Sequence, residues 1–379
     1  MPWEVCTAVS EREEFAQFAL AEDVCLSELC RRYGVSRVTG YKWLTRARAQ
    51  ETMRDRSRRP HTSPSRTGSD IEALVCELRR QHPTWGGRKL HHFLRHQGVQ
   101  PLPAPSTVNS ILARNGLLSP DRRVQRDWQR FEAAAPNHLW QMDFKGPVGT
   151  DAGPCFALTV LDDHSRFNLC LAICPDQTRE TVQSELVRIF RCYGLPDCLL
   201  SDNGPPWGSY QAGEGRFTRL GVWLMRRQVI VSHGRPAHPQ TQGKDERFHG
   251  TLNRELLTAR PSWRSPVELS LACADWRDLY NRLRPHEAIG NEPPASRYRH
   301  SHRPYTDIPP VIDYPSGDHV RRADQNGVIH FHGRPYRIGR AFAGEPVALR
   351  AAADGVWDVY YCLQRIKTLY LTRQQTDDV

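Results

Sequence analysis

The chain has 379 residues, enough for two or three domains and a sizeable core. Apolar residues make up 39% of it and no apolar run approaches bilayer length, which excludes a helical membrane protein. The net charge of +10 is gathered in one place: Arg31 to Arg66 hold 11 Lys/Arg against Glu51 and Asp55, an excess of 9.

Such a basic block draws phosphate backbones by counterion release, and its flexible part also serves as a solvated linker. Its folded part is residues 24–49, VCLSELCRRYGVSRVTGYKWLTRARA, which read as two short helices around Gly34, with Ser36 capping the second. This is a helix-turn-helix pattern. Arg37, Lys42, Arg46 and Arg48 on the second helix are the candidate DNA contacts. Residues 54–68 form a basic Pro/Ser-rich linker. A second helical module follows, with Ile71, Leu74, Val75 and Leu78 at helical spacing, then segments 86–98 and 105–117, Ser106 as N-cap and Gly116 as stop. His92 and His96 have metal spacing there, but no third ligand lies beside them.

From Trp140 the pattern turns α/β. Residues 141–148, 155–163 and 167–173 read as strands, Thr178–Tyr193 as a helix, and 195–204 and 229–233 as further strands. A helix from near Gln240 to about Ala259 and another over 266–283 complete a core with a mixed sheet. Past Asp318 short strands alternate with turns at Asn326-Gly327, Gly333 and Asp354-Gly355, read as a small β-barrel. The expected division is 1–50, 51–68, 69–118, 119–135, 136–300, 301–317 and 318–379. None of the 11 cysteines forms a Cys-x-x-Cys pair and no leader pattern opens the chain, so a cytoplasmic, nucleoid-associated protein with reduced thiols is expected.

Phosphodiester chemistry on two metal ions needs several carboxylates at rigid places on one sheet edge, and hard oxygen ligands suit Mg²⁺, with Mn²⁺ as substitute. Asp143 lies mid-strand among Trp140, Met142 and Phe144, where an unpaired charge is costly. Asp202 ends a strand before Asn203-Gly204. Glu246 lies on a helix whose polar face is Gln242, Glu246, His249 and Asn253, beside an apolar stripe of Phe248, Leu252 and Leu256. Taken singly, each acid is weak evidence: an Asp at a strand end is more often a turn residue than a ligand, and a Glu in a helix more often a solvated face residue.

The wording around all three is more specific. LWQMDFKG, LDDHSRF, LLSDNGPPW and SHGRPAHPQTQGKDERFHGTLNREL, in that order, resemble the integrase core of bacterial insertion-sequence transposases, relatives of retroviral integrases. The similarity runs from about Pro136 to Tyr298. It implies an RNase H-like fold with Asp143, Asp202 and Glu246 as a metal-binding catalytic triad. Lys244 and Arg247 would hold DNA phosphates, and Gln240 and Gln242 would contact the strand being cut. Asp162 and Asp163 fall in a turn motif, and Asp245, about 100° around the helix from Glu246, is a rival third acid. The 43 residues between Asp202 and Glu246 exceed the retroviral spacing, the excess falling in a glycine-rich stretch. The implied partners are the element's ends and target DNA, in a homodimer or larger assembly, with no membrane and no small-molecule substrate. The alternatives are a non-catalytic DNA-binding regulator and a nuclease without strand transfer.

Overall fold

The computed structural model describes residues 7–21, 23–57, 67–118, 132–202, 204–208, 217–233, 243–260 and 262–371. Two compact units emerge, 1–66 and 67–379.

In the first unit α1 (Ala8–Leu20), α2 (Leu26–Arg32) and α3 (Arg37–Arg48) enclose Phe15, Leu29, Cys30 and Trp43. Ser36 caps α3 by accepting from the Thr39 amide, and Gly34 takes φ +65° in the turn, a conformation most residues avoid.

The second unit opens with α4 (Ser69–Gln81), α5 (Gly87–His96) and α6 (Pro105–Arg114), packed around Val75, Trp85, Leu90, Val108 and Ile111. Two details depart from the sequence reading. Leu74 stays exposed, and Ser106 is not the cap: Pro105 takes the first helical turn, so the helix starts from Ala104. Gly116, at φ +69°, follows the helix end as expected.

The core sheet is mixed, with order β3-β2-β1-β4-β5. Strands β1 (Leu139–Thr150), β2 (Gly153–Asp162) and β3 (Asn168–Cys174) are an antiparallel meander. After α7 (Arg179–Tyr193), β4 (Cys198–Ser201) joins β1 in parallel. After α8 (Arg219–Met225), β5 (Ile230–His233) joins β4 in parallel. Alternation sorts the side chains: Trp140, Met142, Leu158 and Val160 pack with Val182, Leu186 and Phe190 of α7. The opposite face meets α9 (Gly243–Leu252) and α10 (Pro266–Arg282) through Ala157, Leu161, Phe248, Leu252 and Trp276. A π turn at Asn253–Leu257 extends α9 by one residue more than α-helical spacing allows. Leu257 therefore joins the buried set while Leu256 is only partly covered.

The helical module is fastened to this core. Glu255 on the π turn accepts from Arg284 at 2.8–3.1 Å and from the Thr84 hydroxyl at 3.0 Å. Leu279 of α10 packs against the module's apolar cluster, and Glu292 meets His96 at 2.9 Å. Nearby His286 is half-buried, edge-on to Tyr280, and its ring is held well below 6.5 by desolvation and by the charges of Arg284, Lys89 and Arg166. This sets a sign. Unfolded, the ring takes a proton below about pH 6.5, while the folded chain refuses it, so the stability it contributes above that pH drains away as pH falls. Melting temperature should drop between pH 7 and pH 5, and His286→Gln should make that drop shallower. An identical slope in both proteins would remove His286 from the account.

The C-terminal region holds β6 (His319–Arg322), β7 (Val328–Phe331), β8 (Arg334–Arg337), β9 (Pro346–Ala353), β10 (Val356–Tyr361) and β11 (Gln364–Tyr370). The pairings are an open antiparallel sheet, β11-β10-β9-β6, with β7-β8 as a separate hairpin. Closure into the expected barrel is not among them: β6 and β11 remain as edges, and the sheet is completed by apolar packing of Ile329, Phe331 and Phe342. No described helix is long and apolar enough to cross a membrane.

Candidate active site and nucleic-acid interface

Asp143 sits on the α9 side of β1, since its register partner is Thr159, between Ala157 and Leu161. The parallel pairing of β1 with β4 runs Leu139↔Cys198, Trp140↔Leu199 and Gln141↔Leu200. The same offset carried two residues further sets Asp143 beside Asp202, on neighbouring strands roughly 4.8 Å apart. The Asp143 carboxyl is pushed up to about 6, first by burial and then by the charges of Asp202 and Glu246, against a 2.8 Å hydrogen bond from the Phe144 amide. Burial also raises Asp202, whose Oδ1 accepts from the Gly204 amide at 3.2 Å. Glu246 projects from α9 into solvent. Asp202 and Glu246 thus both lie within electrostatic reach of Asp143. Among the described residues no three His, Cys, Asp or Glu side chains stand close enough to hold a metal ion, so the acids share one edge without closing on a single point.

The neighbouring Asp245 behaves oppositely. It is fully buried, neither carboxylate oxygen has a hydrogen-bond partner, and burial together with Asp143 and Asp163 drives its pKa well up. A carboxyl so placed is pushed toward its protonated form. Lys244 ion-pairs with Asp163, which also accepts from the Gln141 amide group and the Ala133 N–H, both at 2.7 Å. Asp162 accepts from the Asn137 and Ser165 amides at 2.7 Å. The two turn aspartates therefore organise the approach to β1 and tie down the start of α9. Arg247 is exposed. Gln240 and Gln242 lie outside the described residues.

His249 was read from the sequence only as part of a polar face, yet its buried ring stands beside Asp143 and Thr159. Its Nε2 is 2.8 Å from the Thr159 hydroxyl, which itself donates to the Asp143 carbonyl at 3.0 Å. With the hydroxyl proton so committed, Nε2–H must donate, leaving the Nδ1 lone pair 3.8 Å from the Asp143 carboxylate. Burial and the charge of Lys145 hold this ring down at about 4, so it is neutral near pH 7. Its place three residues after Glu246 was a visible signal; the bond across to Thr159 was not.

On α3, Arg37, Lys42 and Arg48 are exposed. Arg46 is buried instead, its guanidinium 4.8 Å over Trp43 and donating to the Arg54 carbonyl at 3.0 Å.

Sequence comparison agrees with this layout. Models described as "Integrase core domain" match residues 133–239 and 227–294, "IS481 family transposase, C-terminal domain" matches 318–377, and "Homeodomain-like domain" matches 39–112. The 39.2 kDa protein of insertion element IS476 from Xanthomonas euvesicatoria is 26% identical over 61% of this chain; the match spans 65% of that relative, just under two thirds of its length. A Mycobacterium tuberculosis protein assigned as a transposase for insertion sequence element IS986/IS6110 is 24% identical, over 65% of this chain and 95% of its own. Among solved structures, the HTLV-2 integrase catalytic core domain is 16% identical over 44% of this chain and 100% of its own, with a TM-score of 0.33, too loose a superposition to carry an argument. A mixed sheet edged with acids and flanked by a homeodomain-like region defines a protein with an integrase-like, RNase H-type core. Across that core and its flanking regions the chain is similar to insertion-sequence transposases.

Proposed function

We propose that this chain cuts DNA at the ends of its element and joins them to target DNA, with Asp143, Asp202 and Glu246 as the catalytic carboxylates. The observation that carries the reading is the nearness of Asp202 and Glu246 to Asp143, whose carboxyl feels both charges. Three hard oxygen donors suit a divalent cation, Mg²⁺ with Mn²⁺ in its place, and these residues would hold it. When bound, divalent cations neutralise charge on the phosphate and lower the pKa of the attacking water. The chain's own part is positioning. The Phe144 amide and the His249–Thr159 contact fix Asp143, the Gly204 amide fixes Asp202, and the Lys244–Asp163 pair fixes the helix bearing Glu246. The exposed Arg247 supports a phosphate-binding role, as do Gln240 and Gln242 by position.

The basic N-terminal modules would choose the element's ends and the core would cut, in the cytoplasm and in an assembly of two or more copies, since two ends must be joined. Incubating the purified chain with the DNA flanking its own gene tests this: Mg²⁺ should yield nicked and joined products. Nicks without joining would make it a nuclease, and binding without nicks a regulator.

Chelation separates chemistry from folding. EDTA should stop cleavage yet move the melting transition by less than about 2 °C, roughly what 1 kcal/mol produces in a chain this large. A larger collapse would reveal a structural metal, with His92 and His96 the first residues to test.

A further inference from the structure

We propose that the exposed face of α3 reads thymine methyl groups in the major groove of double-stranded DNA, through Val38 and Tyr41. The inference rests on the reading above that the N-terminal unit binds the element's ends, and adds which base chemistry it selects.

The exposed face of α3 carries Arg37, Val38, Tyr41, Lys42, Thr45 and Arg48. Val38 is 81% exposed and Tyr41 59%, which is unusual for the two large apolar side chains of a short helix whose other apolar residues are packed. Helix orientation does not offer them a way in. Trp43 and Leu44 already fill the inner face, and Gly40 fits so tightly that a Cβ there would lie 2.4 Å from the Cys30 sulfur and 3.2 Å from the Phe15 ring. Rolling α3 to bury Val38 would drive that backbone into α1 and α2. Val38 and Tyr41 therefore stand one helical turn apart, outward, and contribute nothing to the fold.

Their surroundings choose the occupant. Arg37, Lys42 and Arg48 flank them within a stretch of charge excess +9, a surface that attracts a polyanion. An apolar tip carried between phosphate-binding cations reaches base edges, and it cannot hydrogen-bond to them. The apolar group that base pairs present in the major groove is the C5 methyl of thymine. Val38, near the helix N-terminus where recognition helices meet bases, supplies two methyls to meet it; Tyr41 adds a ring face and a hydroxyl.

The test uses the full chain and duplexes of the DNA flanking its gene, with each thymine replaced singly by deoxyuridine. That change removes one methyl and leaves base pairing intact. At one or two positions the wild-type chain should bind about fourfold more weakly, the factor for burying one methyl group. Val38→Ala or Tyr41→Ala should bind the thymine and uracil duplexes equally at such a position, with an unchanged salt dependence because the phosphate contacts remain. Equal wild-type affinity for every uracil duplex, with preference for the ends kept, overturns the proposal and leaves end-binding intact. No preference for the end sequence over a scrambled duplex overturns both. If Val38→Ala instead weakens self-association in sedimentation and leaves DNA binding untouched, the face docks a second copy and the proposal fails.

Discussion

Asp143→Asn, Asp202→Asn and Glu246→Gln should each lower strand cleavage by about 10³-fold or more, with DNA affinity retained, because acids that act on one reaction centre fail together. Asp143 offers a second readout. Its carboxyl is raised from 3.8 to about 6, so the folded chain holds that proton more tightly than the unfolded chain does. The stability it contributes is complete below about pH 3.8 and is lost as pH rises through 6. Ionised at pH 7, the group costs on the order of 3 kcal/mol relative to an unshifted carboxyl. Asp143→Asn should therefore raise the melting temperature of the metal-free chain at pH 7 while abolishing cleavage, and the gain should vanish near pH 4. Asp245→Asn should leave much of the cleavage intact, yet by the same linkage it should also raise the melting temperature at pH 7, since burial raises this carboxyl too and only the unfolded chain ionises it freely. A dead Asp245→Asn beside an active Glu246→Gln would mean that the third acid has been misassigned.

The contrast between those two neighbours marks how far the sequence could be read. A 100° rotation between successive helix positions already separates Asp245 from Glu246, and strand alternation places Asp143 on the face opposite Trp140 and Met142. Most helices and strands of the core were legible because each had a clear period and a long enough run; α8 was not, since its seven residues begin in the stretch read as a glycine-rich loop. What stayed hidden depended on contacts between distant segments. Arg46 has the same helical spacing from Lys42 as a reading residue would, yet Trp43 and the Arg54 carbonyl draw it inward. Lys244 reads as a phosphate contact until Asp163, 81 residues earlier, comes beside it. The link from His249 to Thr159 spans 90 residues. In the C-terminal region the strands and turns were visible, but whether the edges meet is a property of register, which turn residues alone do not set.

The joint between the helical module and the core should carry the largest stability effect in the chain. Arg284 and Glu255 are 5% and 8% exposed, and they meet in a paired geometry at 2.8–3.1 Å with Thr84 of the module as third partner. Burial works against the Glu255 charge, but the Arg284 and Thr84 hydrogen bonds outweigh it and keep the carboxyl below its usual range. Removing one partner strands the other in a dry site. Arg284→Met should cost about 3–5 kcal/mol, whereas pairing it with Glu255→Leu should return much of that loss, because two well-packed apolar side chains leave no charge behind. Thr84→Val takes away a single bond to a carboxylate, worth about 1.5–3 kcal/mol, and touches only the module's side of the joint. Its signature should be local: faster amide exchange in α4–α6 with unchanged protection in β1–β3. Uniformly faster exchange across both regions, or a double variant no more stable than Arg284→Met, would show that the pair supports the core itself and that the module is held elsewhere.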